Sequence, residues 1–270
     1  MTDSPLILSG DRLAVFDPHH HFASSGGLSV DFTSGDTDFA DQLAGFNSVS
    51  DIGRQSYNGT IIRLPLRNAH TAKISELDNS TIEPALIRQL MADFVRDEIA
   101  EALLFLTNVS TIELRVAGDA ETTVLARATI SPRSAEQHIT DAASAKAVQR
   151  SITVVDHIGA EEPSTKQWLV SYFTPTADIS KVISDRLGYD VEERLARKKL
   201  RPDVALAFPL RVGSDSVMTS GRLFTYLPLP IPTHFPCHVH ALFALTPDRQ
   251  HLVNADETGL PDKSDYQYVF

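Results

Sequence analysis

The stretch GRLFTYLPLPIPTHFPCHVHALFALTPDRQHL, Gly221–Leu252, decides how this chain is read. Arg222–Leu227 has the apolar character of a strand, and Val239–Leu245 predicts a second. Between them stand Pro228, Pro230, Pro232 and Pro236. Proline has no backbone donor and a fixed φ, so this spacing predicts a stiff elbow without regular structure. The second strand runs into a polar loop carrying Asp248, Arg249 and His251. The stretch thus delivers one guanidinium at the far end of two apolar strands. What that arginine meets is the question put to the rest of the chain.

Working backwards, Val204–Val212, Trp168–Thr174, Ser151–His157 and Thr122–Ile130 have strand character, with a polar helix expected over Asp178–Leu200. Ser80–Leu106 predicts a long helix, with Ser80 and Glu83 as a capping box and Pro84 in its first turn. Its apolar residues, from Leu86/Ile87 and Leu90/Met91 to Ile99 and Leu103, recur at helical spacing and form one stripe for core packing. Thr111–Val116 predicts a further strand. In YNGTIIRLPLR, Tyr57–Arg67, Asn58-Gly59 signals a turn and the residues after it alternate. Ile62, Leu64 and Leu66 are expected to face the core, with Arg63 and Arg67 on the other side. Leu13–Phe16 predicts a short buried strand, and residues Phe22–Phe46 a loop with one short strand at most. The fold class expected from this order is α/β (α+β), with a weakly marked boundary near Val116–Ala120.

Composition narrows the function classes. The 270 residues carry a formal charge of −11, which disfavours nucleic acid or an acidic membrane surface as the main partner. A single cysteine, Cys237, excludes an intramolecular disulfide and suits a reducing compartment. No apolar run approaches the ~20 residues that span a bilayer. A cytoplasmic protein is the expectation.

Two histidine constellations invite a metal reading. In Asp17-Pro18-His19-His20-His21, the period of a strand puts Asp17, His19 and His21 on one face, as at the first strand of a metal-dependent amidohydrolase barrel. That barrel needs many more strand–helix units than this chain offers, and a polar turn after a strand is the simpler reading. His238 and His240 form a second pair, near His234, Cys237 and His251, without zinc-type spacing; a structural pair is the simpler reading there too. Arg249 reads either as a solvated charge or as a clamp for a phosphoryl group. Walker, dinucleotide and nucleophile-elbow motifs are missing.

Several stretches, taken together, resemble the sacsin-type module: SGDRLAVFDPHHHF, DQLAGF, YNGTIIRLPLR, LLFLTNVSTIEL and Gly221–Leu252 itself. The match runs in order from about Ser9 to Leu252. That module is a divergent relative of the ninety-kilodalton heat-shock chaperones, within the GHKL ATPase class. The resemblance implies that residues 1–117 form the distal part of a GHKL-type ATPase sandwich and residues 118–270 a β-rich, middle-domain-like α/β unit. It implies that Gly59 and Thr60 lie beside a nucleotide and that Arg249 is an arm to its γ-phosphate. The family's Glu–Asn helix, adenine-reading Asp and glycine-rich lid precede the segment matched here. The expectation is therefore a chaperone-type piece that needs ATP and Mg from an intact module and is no enzyme alone. Its partners would be protein clients or a chain supplying the other ATPase half, and its unpaired edges would favour self-association. A non-catalytic protein-interaction module is the alternative, and an amidohydrolase on Asp17, His19 and His21 a more distant one.

Overall fold

The computed structural model describes residues 4–21, 23–33, 46, 56–117, 122–132, 137–142, 145–158, 162–173, 181–182, 184–185, 193, 204–210, 220–243 and 245–252. The fold is mixed α+β with strands dominating. The chain divides into two compact units, Met1–Ala92 with Arg115–Thr123, and Asp93–Leu114 with Val124–Phe270.

The first unit is built on a four-stranded antiparallel sheet. Its strands are β1 (Leu6–Gly10), β2 (Arg12–Phe16), β3 (Gly27–Asp31) and β4 (Tyr57–Arg63), in the order β3-β2-β1-β4. Gly10 has φ 60, a left-handed conformation that glycine adopts without a side-chain clash, and it turns β1 directly into β2. Register pairs Leu6 with Val15 and Leu8 with Leu13. The period of two therefore sends all four to one face, where Phe32 and Phe46 complete a buried cluster.

Three expectations change in this unit. Asn58-Gly59 is not a turn: both lie inside β4, as the extra residues of an irregularity opposite Ser9/Gly10 of β1. The apolar face of this segment is also reversed. Ile61 packs on the cluster, whereas Ile62, Leu64 and Leu66 are exposed. Alternation gives two faces but does not say which one the sheet buries. Arg67 is the buried member instead, its Nη1 3.0 Å from Asp78 Oδ2. After it comes a helix the sequence reading did not anticipate, α1 (Ala69–Ile74), with Asn68 and Thr71 as its reciprocal capping box.

The long predicted helix is shorter and bent. It runs as α2 (Pro84–Asp97) and α3 (Ile99–Ala102), with Glu98 between them at φ −127 and ψ −26. Helical bonding crosses the bend, since Glu98 N donates to Phe94 O and Ala102 N to Glu98 O. Pro84 opens the helix as its fixed φ favours. The Ser80 hydroxyl donates to Asp78 rather than capping. Only the later part of the apolar stripe is core: Val95, Ile99 and Leu103 are buried, while Leu86 and Leu90 are exposed.

A nine-stranded sheet, most of it in the second unit, contains β5 (Thr111–Ala117), β6 (Thr122–Ile130), β7 (Gln137–Ala142), β8 (Ala145–Asp156), β9 (Ser164–Phe173), β10 (Val204–Leu210), β11 (Arg222–Thr225), β12 (Leu227–Pro232) and β13 (His238–His240). Its order is β12-β11-β13-β10-β9-β8-β6-β5, with β7 beside β8. The described pairings are antiparallel except β11 with β13, which run parallel. Ala128, Val148, Ile152, Val170, Ala207 and Phe224 form the core with Val95, Ile99, Leu103 and Leu104. The expected helix over Asp178–Leu200 lies almost wholly outside the described residues.

The proline elbow is itself a strand, contrary to expectation. Leu227–Pro232 pairs antiparallel with β11 as the outermost strand of its sheet. An edge strand has one side with no ladder to donate to, which is where proline is tolerated. Leu229 points inward and is buried, while Pro230 and Pro232 are exposed. The return strand, conversely, is shorter than Val239–Leu245: it ends at His240, and Leu245 makes an isolated bridge to Leu252.

Candidate functional site

The strands β11 and β13 converge on the end of α3, and there the second unit concentrates its buried polar chemistry. Arg222 opens β11 and points to the helix, its Nη1 3.1 Å from Glu98 Oε1 and its Nη2 in close contact with Glu101 Oε2. Glu98 and Glu101 are three residues apart across the bend, so both face the same guanidinium. Glu101 also faces His238, whose Nε2 is 3.5 Å from Oε1, at the limit of hydrogen bonding. His238 is buried between the rings of Trp168 and Phe224, with centroids 5.1 and 5.0 Å away.

The balance at Glu101 has a definite sign. Burial alone would raise its pKa, but His238 and then Arg222 together hold the carboxyl below the ordinary glutamate value of 4.5. Burial works against the Arg222 charge as well, and Glu101 and Glu98 overcome it. Burial pushes the Cys237 thiol up, away from nucleophilic reactivity. Arg150 is a further buried cation, donating to Leu104 O at 2.6 Å and lying 5.5 Å over the Tyr172 ring.

The backbone here tolerates little change. A Cβ on Gly221 would sit 1.7 Å from Cys237 O, so only glycine lets the chain before β11 pass the chain before β13. Gly221 N donates to Phe235 O and Thr233 N to Gly221 O. The loop beyond β13 is held by Thr246, whose hydroxyl donates to Asp248 Oδ1 at 2.5 Å and whose carbonyl accepts from Arg249 N at 2.8 Å.

Arg249 lies in that loop with a left-handed φ of 59 and an exposed side chain. Its Nη2 donates to Thr225 O, 3.1 Å away at the end of β11. In this structure the guanidinium therefore meets its own sheet.

Gly59 and Thr60 belong to the first unit. They stand on β4 opposite the end of β1, where Ser9 Oγ donates to Gly59 O at 3.1 Å and is 3.0 Å from Thr60 Oγ1. This cluster offers carbonyl and hydroxyl oxygens but no cation to a polyphosphate. A nucleotide beside it would need donors from outside the cluster.

The first histidine constellation has a structural task. Asp17 is buried and accepts from His21 N at 3.0 Å and Ala23 N at 2.8 Å, fixing the loop that leads to β3. His19 and His21 have ring centroids 5.5 Å apart. Among the described residues no group of three His, Cys, Asp or Glu side chains is arranged to hold a metal. The strand before Asp17 also sits in an antiparallel meander rather than a parallel barrel.

Nothing in the sequence reading paired Arg222 with Glu98, Glu101 and His238. The available signal was a charged residue opening an apolar strand, plus two carboxylates three apart near a helix end. A separation of more than 100 residues hid their meeting.

This geometry describes an α+β chain whose Gly221–Leu252 hairpin and return strand are bolted to a helix end. Residues 1–127 match the family model described as the Sacsin domain. The chain is a sacsin-type module. It is 30% identical to human Sacsin over an alignment of 292 residues that takes in 98% of this chain and 6% of that protein. The chain thus spans a small part of the curated relative's length. No helix of the described residues is long and apolar enough to cross a membrane.

Proposed function

We propose that the chain is part of a sacsin-like, chaperone-type ATPase that assists protein folding or quality control. In this reading residues 1–117 are the distal part of a GHKL-type ATPase domain and residues 118–270 a middle-domain-like unit. The observation that carries the proposal is the alignment to human Sacsin over 98% of the chain. Nucleotide binding requires a partner segment with the Glu–Asn helix and glycine-rich lid, which these 270 residues do not contain. ATP and Mg belong to that assembly, in a cytoplasmic setting. Gly59 and Thr60 line its nucleotide side. Arg249, released from Thr225 O, contributes positive charge at the γ-phosphate, where a guanidinium stabilises developing negative charge.

The test mixes the chain with a sacsin-type segment bearing the Glu–Asn helix and lid, and follows ATP hydrolysis. Turnover is expected in the mixture alone, falling about 100-fold or more with Arg249→Ala. A mixture that does not hydrolyse ATP, or one indifferent to Arg249→Ala, would sink the proposal.

A protein-interaction module is the second reading. Ile62, Leu64 and Leu66 favour it, being exposed apolar side chains on and just after an end strand of the four-stranded sheet.

A further inference from the structure

We infer that His238 is a proton-operated clasp holding the β11–β12 hairpin to the rest of its sheet. Only two residue pairs join β11 to β13, Leu223 with Val239 and Phe224 with His240. The ladder is extended by a side chain: Arg222 N donates to His238 Nδ1 at 3.1 Å. Four residues on from Arg222, just past the end of β11, Tyr226 N lies 3.2 Å from Nδ1 of His240, two residues on from His238. An imidazole thus stands where a short parallel pairing has run out of backbone acceptors.

This geometry fixes the protonation state of His238. A nitrogen that accepts from a backbone N–H carries no proton, so the single proton of the neutral ring sits on Nε2. That nitrogen faces Glu101 Oε1 at 3.5 Å. Adding a second proton places an N–H on Nδ1, directly against the Arg222 N–H. The rung is then lost, because both groups are donors.

The charged and titratable surroundings determine what replaces it. From the α3 side come Glu101 and, through Arg222, Glu98; from β11 comes Arg222 itself. From β9 the neighbour is the uncharged Trp168 ring, and on β10 the register partner is Ala207. On β13 itself the neighbours are Cys237 and His240. Protonated His238 strengthens its attraction to Glu101, which is already shared with Arg222. Proton uptake therefore exchanges a β11–β13 bond for a tighter β13–α3 contact. The hairpin loosens while β13 stays seated. Thr225, which receives Arg249 and whose hydroxyl donates to Ala241 O at 3.1 Å, lies on the loosened strand.

Amide exchange read by NMR on the whole chain tests this. Between about pH 7.5 and about pH 5.5, the protection factor of the Arg222 amide, corrected for intrinsic exchange, is expected to fall about tenfold. The amides of β8 and β9 should keep theirs. His238→Asn offers a side-chain oxygen near the Nδ1 position that does not protonate, and it should abolish the fall. Ring nitrogen shifts of the unmodified chain provide a second reading that needs no variant. At the higher pH, Nδ1 of His238 should show the signature of an unprotonated nitrogen. A protonated Nδ1 there, pH-independent protection of Arg222, or the same fall in His238→Asn would overturn the inference.

Discussion

At the scale of single residues, Glu101 is the hub of the second unit's polar core. It receives Arg222 and faces His238. Glu101→Gln removes the charge and leaves Arg222 with Glu98, itself more exposed to solvent. A loss of about 2 kcal/mol at neutral pH is expected, below the full cost of breaking a buried pair because water reaches Arg222. The pH dependence has a clear sign. A carboxyl whose pKa is lowered by folding contributes stability above its unfolded value, and that contribution is lost as pH falls through the folded value. For Glu101 the window therefore opens below 4.5. Urea midpoints measured from neutral pH downwards should show the gap between wild type and Glu101→Gln closing in that acid range. A gap that persists there would show that the cost is steric rather than electrostatic. His238 and His240 each accept from a backbone N–H of β11 or of the residue after it.

At the scale of elements, propensity located most strands and erred where tertiary context decides. Arg12–Phe16, Thr122–Ile130 and Val204–Leu210 follow from β-branched and alternating residues with nearly the expected ends. The class of Leu227–Pro232 was missed because proline forbids a central strand but not an edge one, and edge position is a property of the whole sheet. Leu6–Gly10 is part of a hairpin whose turn is set by Gly10, and the signal for it is the short stretch Ser9-Gly10-Asp11-Arg12. The helix bend at Glu98 has no proline to announce it. Gly221 is the element-scale position most open to a decisive test. Gly221→Ala forces a Cβ onto Cys237 O at 1.7 Å, so the β11 entry and the β13 entry must separate. Overpacking of this kind is expected to cost about 3 kcal/mol, read as a lowered urea midpoint with an unchanged slope. An unaltered midpoint would mean that the two passing segments yield freely.

At the scale of the whole molecule, the candidate nucleotide-side residues and the arginine arm have different settings. Gly59 and Thr60 lie in an oxygen-rich end of the four-stranded sheet, without a cation in their hydrogen-bonded cluster. Arg249 is anchored on the carbonyl of Thr225 in the second unit. The family resemblance was legible because its motifs are contiguous stretches, among them SGDRLAVFDPHHHF and YNGTIIRLPLR within the matched residues 1–127. The polar network of Arg222, Glu98, Glu101 and His238 was not, because it assembles only when distant segments pack. The central proposal is that this chain serves a sacsin-like ATPase in which nucleotide is held together with a further segment. Calorimetric titration of ATP with Mg into the purified chain tests it most directly. The account predicts no binding at a dissociation constant of about 10 μM or tighter, and such an affinity in the isolated chain would contradict it.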